Sequence, residues 1–231
     1  MSLPLVLVPG LLCTAEVFAP QIPALWPHGP IVIAGTLEGD TLPEMAERIL
    51  AIAPPRFALA GISMGGYLSL ELVRRAPERV AKLALLDTSA RKDTDKQTRD
   101  RRAFVERARS GDFETLVGDA LTAILHPAHR TVAKLREINL RMALTIGVHG
   151  MARQQEAIIR RVDSLPFLPA ISVPTLVLVG DSDALTPPSR AREMVAAIPN
   201  AQLVVVPQCG HVSTLEQPEL VNHALSAWLT S

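Results

Sequence analysis

Cysteine is scarce in this chain of 231 residues, which contains only Cys13 and Cys209. A disulfide framework needs several cysteine pairs, so the class of small, disulfide-stapled secreted proteins is excluded. Two isolated cysteines instead fit a reducing compartment, and we expect a cytoplasmic location. Aromatic residues are also few, at 3% of the chain, whereas hydrophobic residues make up 48% and can form a sizeable core.

Neither charge is in excess, because 23 Lys and Arg residues are balanced by 23 Asp and Glu residues. Nucleic acids and anionic membranes select for a basic excess, so neither is expected as the main partner. No apolar run reaches the roughly 18 residues that a bilayer-spanning helix needs. Lys and Arg are absent before Arg48, so the apolar segment 1–13 lacks the positive region of a secretion signal. We interpret that segment as the first strand.

Short apolar runs alternate with amphipathic segments along most of the chain. Strands are predicted at 3–8, 31–34, 57–60, 80–86, 175–179 and 202–206. Helices are predicted from Thr41 to about 53, from Ser63 to about 76, and over 188–197 and 218–229. Alternation of this kind predicts an α/β fold with right-handed crossovers and a mostly parallel sheet.

The alternation stops between residues 88 and 168. Segments at 113–125, 132–146 and 152–162 have helical periodicity without strand patterns. We therefore predict a core formed by 1–87 and 169–231, interrupted by a helical cap at 88–168. Charges of both signs are dense over 91–109, and their interleaving favours a solvated helix face over an anion site.

The segment 57–66 is typical of a nucleophile elbow. A buried strand leads into Gly61-Ile62-Ser63-Met64-Gly65 and then into an amphipathic helix. The glycines remove β-carbons that would collide where strand and helix approach, and Ser63 is presented above the helix N-terminus. A glycine-rich turn carrying an ordinary surface serine is the alternative interpretation.

A serine nucleophile needs a base and a group that orients the base. His211 follows the predicted strand at 202–206, and Asp183 follows the predicted strand at 175–179. Loops at the carboxyl ends of parallel strands converge at one edge of a sheet, so these side chains are expected to meet. Asp181 and Asp87 remain alternatives to Asp183 as the acid.

Together these segments resemble the α/β-hydrolase superfamily over nearly the whole chain. The matching pieces are 5–10 (LVLVPG), 61–66 (GISMGG), 174–183 (PTLVLVGDSD), 186–188 (TPP), 210–212 (GHV) and 216–219 (EQPE). The chain order Ser63, Asp183, His211 is also that of the family. The family fold places helices on both faces of the sheet. The antiparallel strands that commonly precede the first parallel strand have no counterpart in this sequence, so about six strands are expected.

The resemblance implies a role for each matched residue. Ser63 would be the nucleophile, His211 the general base and later acid, and Asp183 the group that orients the imidazole. The backbone N–H groups of Leu11 and Met64 would form the oxyanion hole. Many relatives have His-Gly where this chain has Pro9-Gly10, a difference that leaves the three side chains untouched. Neither a metal nor an organic cofactor is implied.

The implied activity is hydrolysis of a small or medium carboxylic ester through an acyl-enzyme on Ser63. Two alternatives stay open: a carbon–carbon bond or enol-lactone hydrolase of aromatic degradation, and a non-catalytic ligand receptor on the same fold. The expected partner is a small acyl substrate, with the protein a monomer or a homodimer. Apolar cap residues are expected to line the acyl pocket, namely Phe104, Phe113, Leu116, Leu121, Met142 and Met151.

Overall fold

A parallel sheet of six strands forms the centre of the protein in a computed structural model that describes residues 3–231. The strands are β1 (Leu5–Val8), β2 (Ile31–Ile33), β3 (Phe57–Ile62), β4 (Val80–Leu86), β5 (Thr175–Gly180) and β6 (Ala201–Val206). Their order across the sheet is β2-β1-β3-β4-β5-β6, and every neighbouring pair is parallel. The predicted α/β fold with about six strands is confirmed.

Nine α-helices accompany the sheet within the described residues. They are α1 (Gln21–Leu25), α2 (Leu42–Ile52), α3 (Met64–Arg75), α4 (Asp95–Ser110), α5 (Phe113–Ala123), α6 (Ala133–Ile159), α7 (Pro188–Ala197), α8 (Ser213–Glu216) and α9 (Pro218–Thr230). Short 3₁₀ helices lie at Ala15–Phe18, Trp26–His28, Pro127–His129 and Leu165–Ala170. No helix in residues 3–231 has both the length and the apolar composition that crossing a membrane requires.

Alternate residues of the strands pack into two cores, one on each face of the sheet. In β1, Val6 and Val8 belong to one core, while Leu5 and Leu7 belong to the other. Helices α2, α3 and α7 cover the first face, and α1 and α9 cover the second. Burial on both faces explains why the inner strands are continuous apolar runs.

The chain leaves the sheet after β4 and returns to it at β5. Residues 88–168, all of them described, contain α4, α5 and α6 and no strand. The predicted helical segments at 132–146 and 152–162 are parts of the single element α6, which breaks at Gly147 (φ 68°, ψ 173°). The boundaries between core and cap, at 87/88 and 168/169, stay a prediction. We use the name "cap" for residues 88–168.

Candidate active site

Ser63 occupies a sharp turn between β3 and α3, with φ 54° and ψ −117°. Two glycines permit this turn because there is no room for a side chain at either position. A β-carbon on Gly61 would lie 2.2 Å from the Gly65 carbonyl oxygen, and one on Gly65 would lie 2.0 Å from the Val8 carbonyl oxygen. The close approach of β3, α3 and β1 therefore depends on the glycine spacing seen in the sequence.

The structure brings Ser63, His211 and Asp183 together from three separate loops. His211 Nε2 lies 2.9 Å from Ser63 Oγ, and His211 Nδ1 lies 2.8 Å from Asp183 Oδ2. An ionised carboxylate only accepts hydrogen bonds, so Nδ1 donates to Asp183 and Nε2 is left to accept from the Ser63 hydroxyl. The arrangement is suited to moving a proton from the serine to the imidazole.

Asp183 is fixed by donors from its own loop. Its carboxylate accepts hydrogen bonds from Leu185 N (2.9 Å), Thr186 N (3.0 Å) and Thr186 Oγ1 (2.7 Å). Burial works to raise the pKa of Asp183, but the His211 charge and the hydrogen bonds from His211 and Thr186 hold that pKa below its usual range. Burial likewise works to lower the pKa of His211, whereas the Asp183 carboxylate raises it above its usual value. The pair therefore favours an aspartate anion facing the imidazole.

The two rival carboxylates lie elsewhere. Asp181 is exposed, and it accepts hydrogen bonds from Gln208 N (2.9 Å), Cys209 N (3.1 Å) and Ser182 Oγ (2.9 Å) rather than from His211. Asp87 is buried and accepts from Gly180 N (3.0 Å) and Ser213 N (3.1 Å).

Burial, and then the Asp183 charge, raises the pKa of Asp87 to about 7. Its two hydrogen bonds connect the end of β5 to the loop after His211. Asp87 thus supports the loops around the imidazole, while Asp183 contacts the imidazole itself.

The predicted oxyanion donors belong to the residue after Ser63 and to the loop after β1. Met64 N is the first amide of α3, and Leu11 lines the cleft that contains Ser63. Within residues 3–231 neither N–H donates to a protein acceptor. The next residue, Leu12, has φ 61° and donates its N–H to Gln154 Oε1 at 3.0 Å. Gln154 Nε2 in turn reaches Thr36 Oγ1 at 3.1 Å, so a cap helix holds the turn that carries Leu11.

A cleft of about 690 Å³ opens above Ser63 and His211 between the core and the cap. Of the six apolar cap residues expected to line it, only Phe104 does so. Met142 instead belongs to the core on the second face of the sheet, and Met151 is buried inside the cap. Phe113, Leu116 and Leu121 are partly buried among the cap helices, where Leu116 and Leu121 line separate clefts. Much of the lining is polar or charged instead, with Tyr67, Ser89, Arg91, Lys92, Asp93, Asp95, Gln97, Asp100, Arg101, Gln155, Arg161, Asp163 and Arg190.

The prediction that the charged run 91–109 is only a solvated helix face is therefore wrong for part of it. The Asp93 side chain is 1% exposed and Arg101 is 23% exposed, and both line the cleft. The alternating charges could not show which of them turn inwards, since that depends on where α4 packs against α6.

Sequence reasoning also missed the role of Glu216. Its carboxylate is fully buried and accepts from His126 N (2.8 Å) and Val212 N (3.2 Å), and it contacts His129 Nδ1 (2.9 Å). It therefore joins the cap to the loop that carries His211. The available signal was its place in the matched piece 216–219, to which no role had been given.

The remaining metal and nucleophile candidates are weak. Within the described residues, no three His, Cys, Asp or Glu side chains converge as metal ligands would. Burial raises the pKa of Cys13 to about 12 and also raises that of Cys209. Both thiols are therefore protonated near neutral pH, and a protonated thiol is a poor nucleophile.

Comparison with known proteins places the chain in a family. A model of the α/β-hydrolase fold matches residues 36–218. A protein of Mycobacterium tuberculosis named as a non-heme bromoperoxidase, BpoC, is 30% identical over 198 residues, which cover 79% of this chain and 70% of that protein. The pimeloyl-[acyl-carrier protein] methyl ester esterase of Nitrosomonas europaea is 30% identical over 205 residues, covering 78% and 74%.

A thermophilic esterase from Thermogutta terrifontis has a solved structure that is similar along the whole length of this chain. Its TM-score is 0.89 at 31% identity, and the match covers 100% of this chain and 90% of that one. By family model, sequence and fold, the chain belongs to the α/β-hydrolase family.

Proposed function

We propose that this hydrolase is a serine esterase, which cleaves small or medium carboxylic esters through an acyl-enzyme on Ser63. The observation that carries the proposal is the continuous contact from Ser63 Oγ to His211 Nε2 (2.9 Å) and from His211 Nδ1 to Asp183 Oδ2 (2.8 Å). A serine hydroxyl is a weak nucleophile by itself, and these contacts allow His211 to accept its proton during attack.

The proposed reaction has two halves. Ser63 Oγ attacks the acyl carbon while His211 Nε2 takes the hydroxyl proton, and the resulting imidazolium gives that proton to the departing alcohol. Water then attacks the acyl-enzyme with the same help, which releases the carboxylic acid and restores Ser63. Asp183 keeps the imidazole in the required tautomer and stabilises its cation in both halves.

The negative oxygen of each tetrahedral intermediate is proposed to accept hydrogen bonds from Leu11 N and Met64 N. Both N–H groups are without a protein acceptor in the described chain. Each such donor typically contributes about 3 kcal/mol of transition-state stabilisation. The position of Met64 at the start of α3 adds the favourable end of the helix dipole.

Two considerations support ester hydrolysis over the alternatives. First, two of the compared proteins are named as esterases. Second, a non-catalytic receptor would not need a serine held 2.9 Å from an oriented imidazole. No feature of the cleft favours carbon–carbon or enol-lactone cleavage. The proposed setting is the cytoplasm, since Cys13 and Cys209 are both free thiols.

A panel of nitrophenyl esters of increasing acyl length tests the proposal, run beside a dienol-type carbon–carbon substrate. We expect turnover of short and medium esters, with kcat lowered about 10⁶-fold in Ser63→Ala. Ser182→Ala is the matched control, because Ser182 is exposed and its hydroxyl bonds only to Asp181. Turnover of the carbon–carbon substrate alone, or full activity in Ser63→Ala, would overturn the proposal.

A further inference from the structure

Three hydrogen-bond donors on the wall of the cleft have no acceptor in the described part of the protein. Arg101 donates Nε to Asp93 Oδ2 (2.7 Å) and Nη1 to Gln155 Oε1 (2.9 Å), which leaves Nη2 unused. Gln155 Nε2 and the Tyr67 hydroxyl also donate to no protein acceptor within residues 3–231, and none of the three groups is among the fully buried unpaired atoms. All three side chains line the same cleft as Ser63.

Arg101 is held in place by a buried ion network. Asp93 lies between two guanidinium groups, with Oδ2 2.7 Å from Arg101 Nε and Oδ1 2.9 Å from Arg161 Nη2. The Arg161 guanidinium lies over the Tyr67 ring, 4.2 Å from its centroid, and is itself only 7% exposed. The donors are therefore presented by a fixed wall, so little side-chain entropy is lost when a ligand binds.

The charges of this network do not balance, because one carboxylate faces two guanidinium groups. Other charged groups on the cleft have partners outside the network or are exposed. Arg91 and Arg190 share Glu193, and Asp100 pairs with Lys96. Asp163 accepts a hydrogen bond from Leu165 N, and Lys92 and Asp95 are exposed. Arg101 is thus a positive group with unused donors that faces the cleft, and such a guanidinium favours an anionic, planar acceptor.

We propose that Arg101, Gln155 and Tyr67 form a carboxylate subsite, and that the preferred substrates are esters whose acyl chain ends in a free carboxylate. The inference rests on the proposed function, since the subsite is defined by its place in the cleft of Ser63. We assign the carboxylate to the acyl half, because only that half stays in the cleft through both steps of the proposed reaction. The substrate class is then the half-esters of dicarboxylic acids.

The test compares monoethyl adipate with ethyl hexanoate, two esters with six-carbon acyl chains that differ in the terminal carboxylate. Acid release at constant pH gives kcat/KM for each. We expect the wild type to favour the adipate half-ester by about tenfold or more, the usual gain from a hydrogen bond to a charged group. This comparison needs no variant, so it does not depend on how well a variant folds.

Variants then locate the effect. Arg101→Met should bring the ratio of the two kcat/KM values close to one, and Tyr67→Phe, which removes one hydroxyl, should lower the ratio about threefold. Arg102→Met is the matched control, because Arg102 is the exposed neighbour on the same helix and should leave the ratio unchanged.

Other outcomes separate the two proposals. A wild type that shows no preference for the adipate half-ester, or an Arg102→Met variant that alters the ratio as much as Arg101→Met, would overturn the subsite and leave the esterase standing. Failure to hydrolyse either ester, together with no labelling of Ser63 by a fluorophosphonate, would overturn the esterase and the subsite with it.

Discussion

At the level of single residues, strained backbone conformations are found at one edge of the sheet. Within residues 3–231, the non-glycine residues with positive φ are Leu12 (61°), Ser63 (54°), Asp87 (45°) and Gln208 (50°). Each follows the carboxyl end of a strand within four residues. Such conformations cost on the order of 1–3 kcal/mol each and persist where the surrounding structure enforces them. Their clustering around Ser63 and His211 is typical of a functional site.

The charge of Asp183 leads to a prediction for the pH dependence of activity. Asp183 raises the pKa of His211, so Asp183→Asn lowers that pKa. Because His211 must be neutral to accept a proton, the acid limb of the kcat/KM profile should move to lower pH in the variant. The amide also favours the wrong tautomer, and kcat should fall about 10⁴-fold.

The rival carboxylates supply the controls for this measurement. Asp181 is exposed and makes no contact with His211, so Asp181→Asn should keep the wild-type profile. A wild-type profile in Asp183→Asn, with the loss appearing in Asp181→Asn or Asp87→Asn, would show that the acid has been assigned to the wrong residue.

At the level of structural elements, the cap helix α6 supports the turn that carries Leu11, one of the two proposed oxyanion donors. Gln154 in α6 accepts from Leu12 N (3.0 Å) and donates to Thr36 Oγ1 (3.1 Å), and its side chain is completely buried. This one amide joins the cap to the loops that follow β1 and β2. The cap is therefore part of the machinery that positions Leu11, as well as the roof of the cleft.

Replacing Gln154 should lower kcat without weakening substrate binding. In Gln154→Leu the Leu12 N–H is left buried without an acceptor, at a cost of about 1–3 kcal/mol, so the turn shifts and kcat should fall about 10- to 100-fold with little change in KM. Arg153→Leu, which removes an exposed contact of the same helix to Leu37 O, is the control. Steady-state kinetics on one ester measures kcat and KM for both variants. A rise in KM at unchanged kcat would contradict the role of Gln154 in positioning the turn that carries Leu11.

The elements that were predicted well are those with a decisive local pattern. β4 (Val80–Leu86) and α7 (Pro188–Ala197) have the predicted bounds, and the strand, turn and helix around Ser63 follow from glycine spacing and periodicity. The lining of the cleft could not be predicted in this way. Which side of α4 faces inwards depends on its packing against α6, and the pairing of Arg101 with Gln155 spans 54 residues.

At the scale of the whole molecule, the topology of the sheet explains how residues 63, 183 and 211 meet. They follow β3, β5 and β6, and all three strands run parallel, so their carboxyl ends lie at one edge of the sheet. Cap contacts then secure the loop of His211, whose N–H donates to Ile124 O (3.0 Å) while Glu216 binds the backbone of His126. The reactivity of Ser63 is therefore expected only in the folded chain.

Labelling with a fluorophosphonate tests this central claim most directly. The reagent reacts with serines that a base has activated, and mass spectrometry of the intact protein and its peptides locates the adduct. We predict one adduct, on Ser63, in the folded wild type. We also predict that it is absent in Ser63→Ala, strongly slowed in His211→Gln, and lost when the wild type is unfolded in urea. An adduct on another residue, or equal labelling of the folded and unfolded chains, would contradict the account.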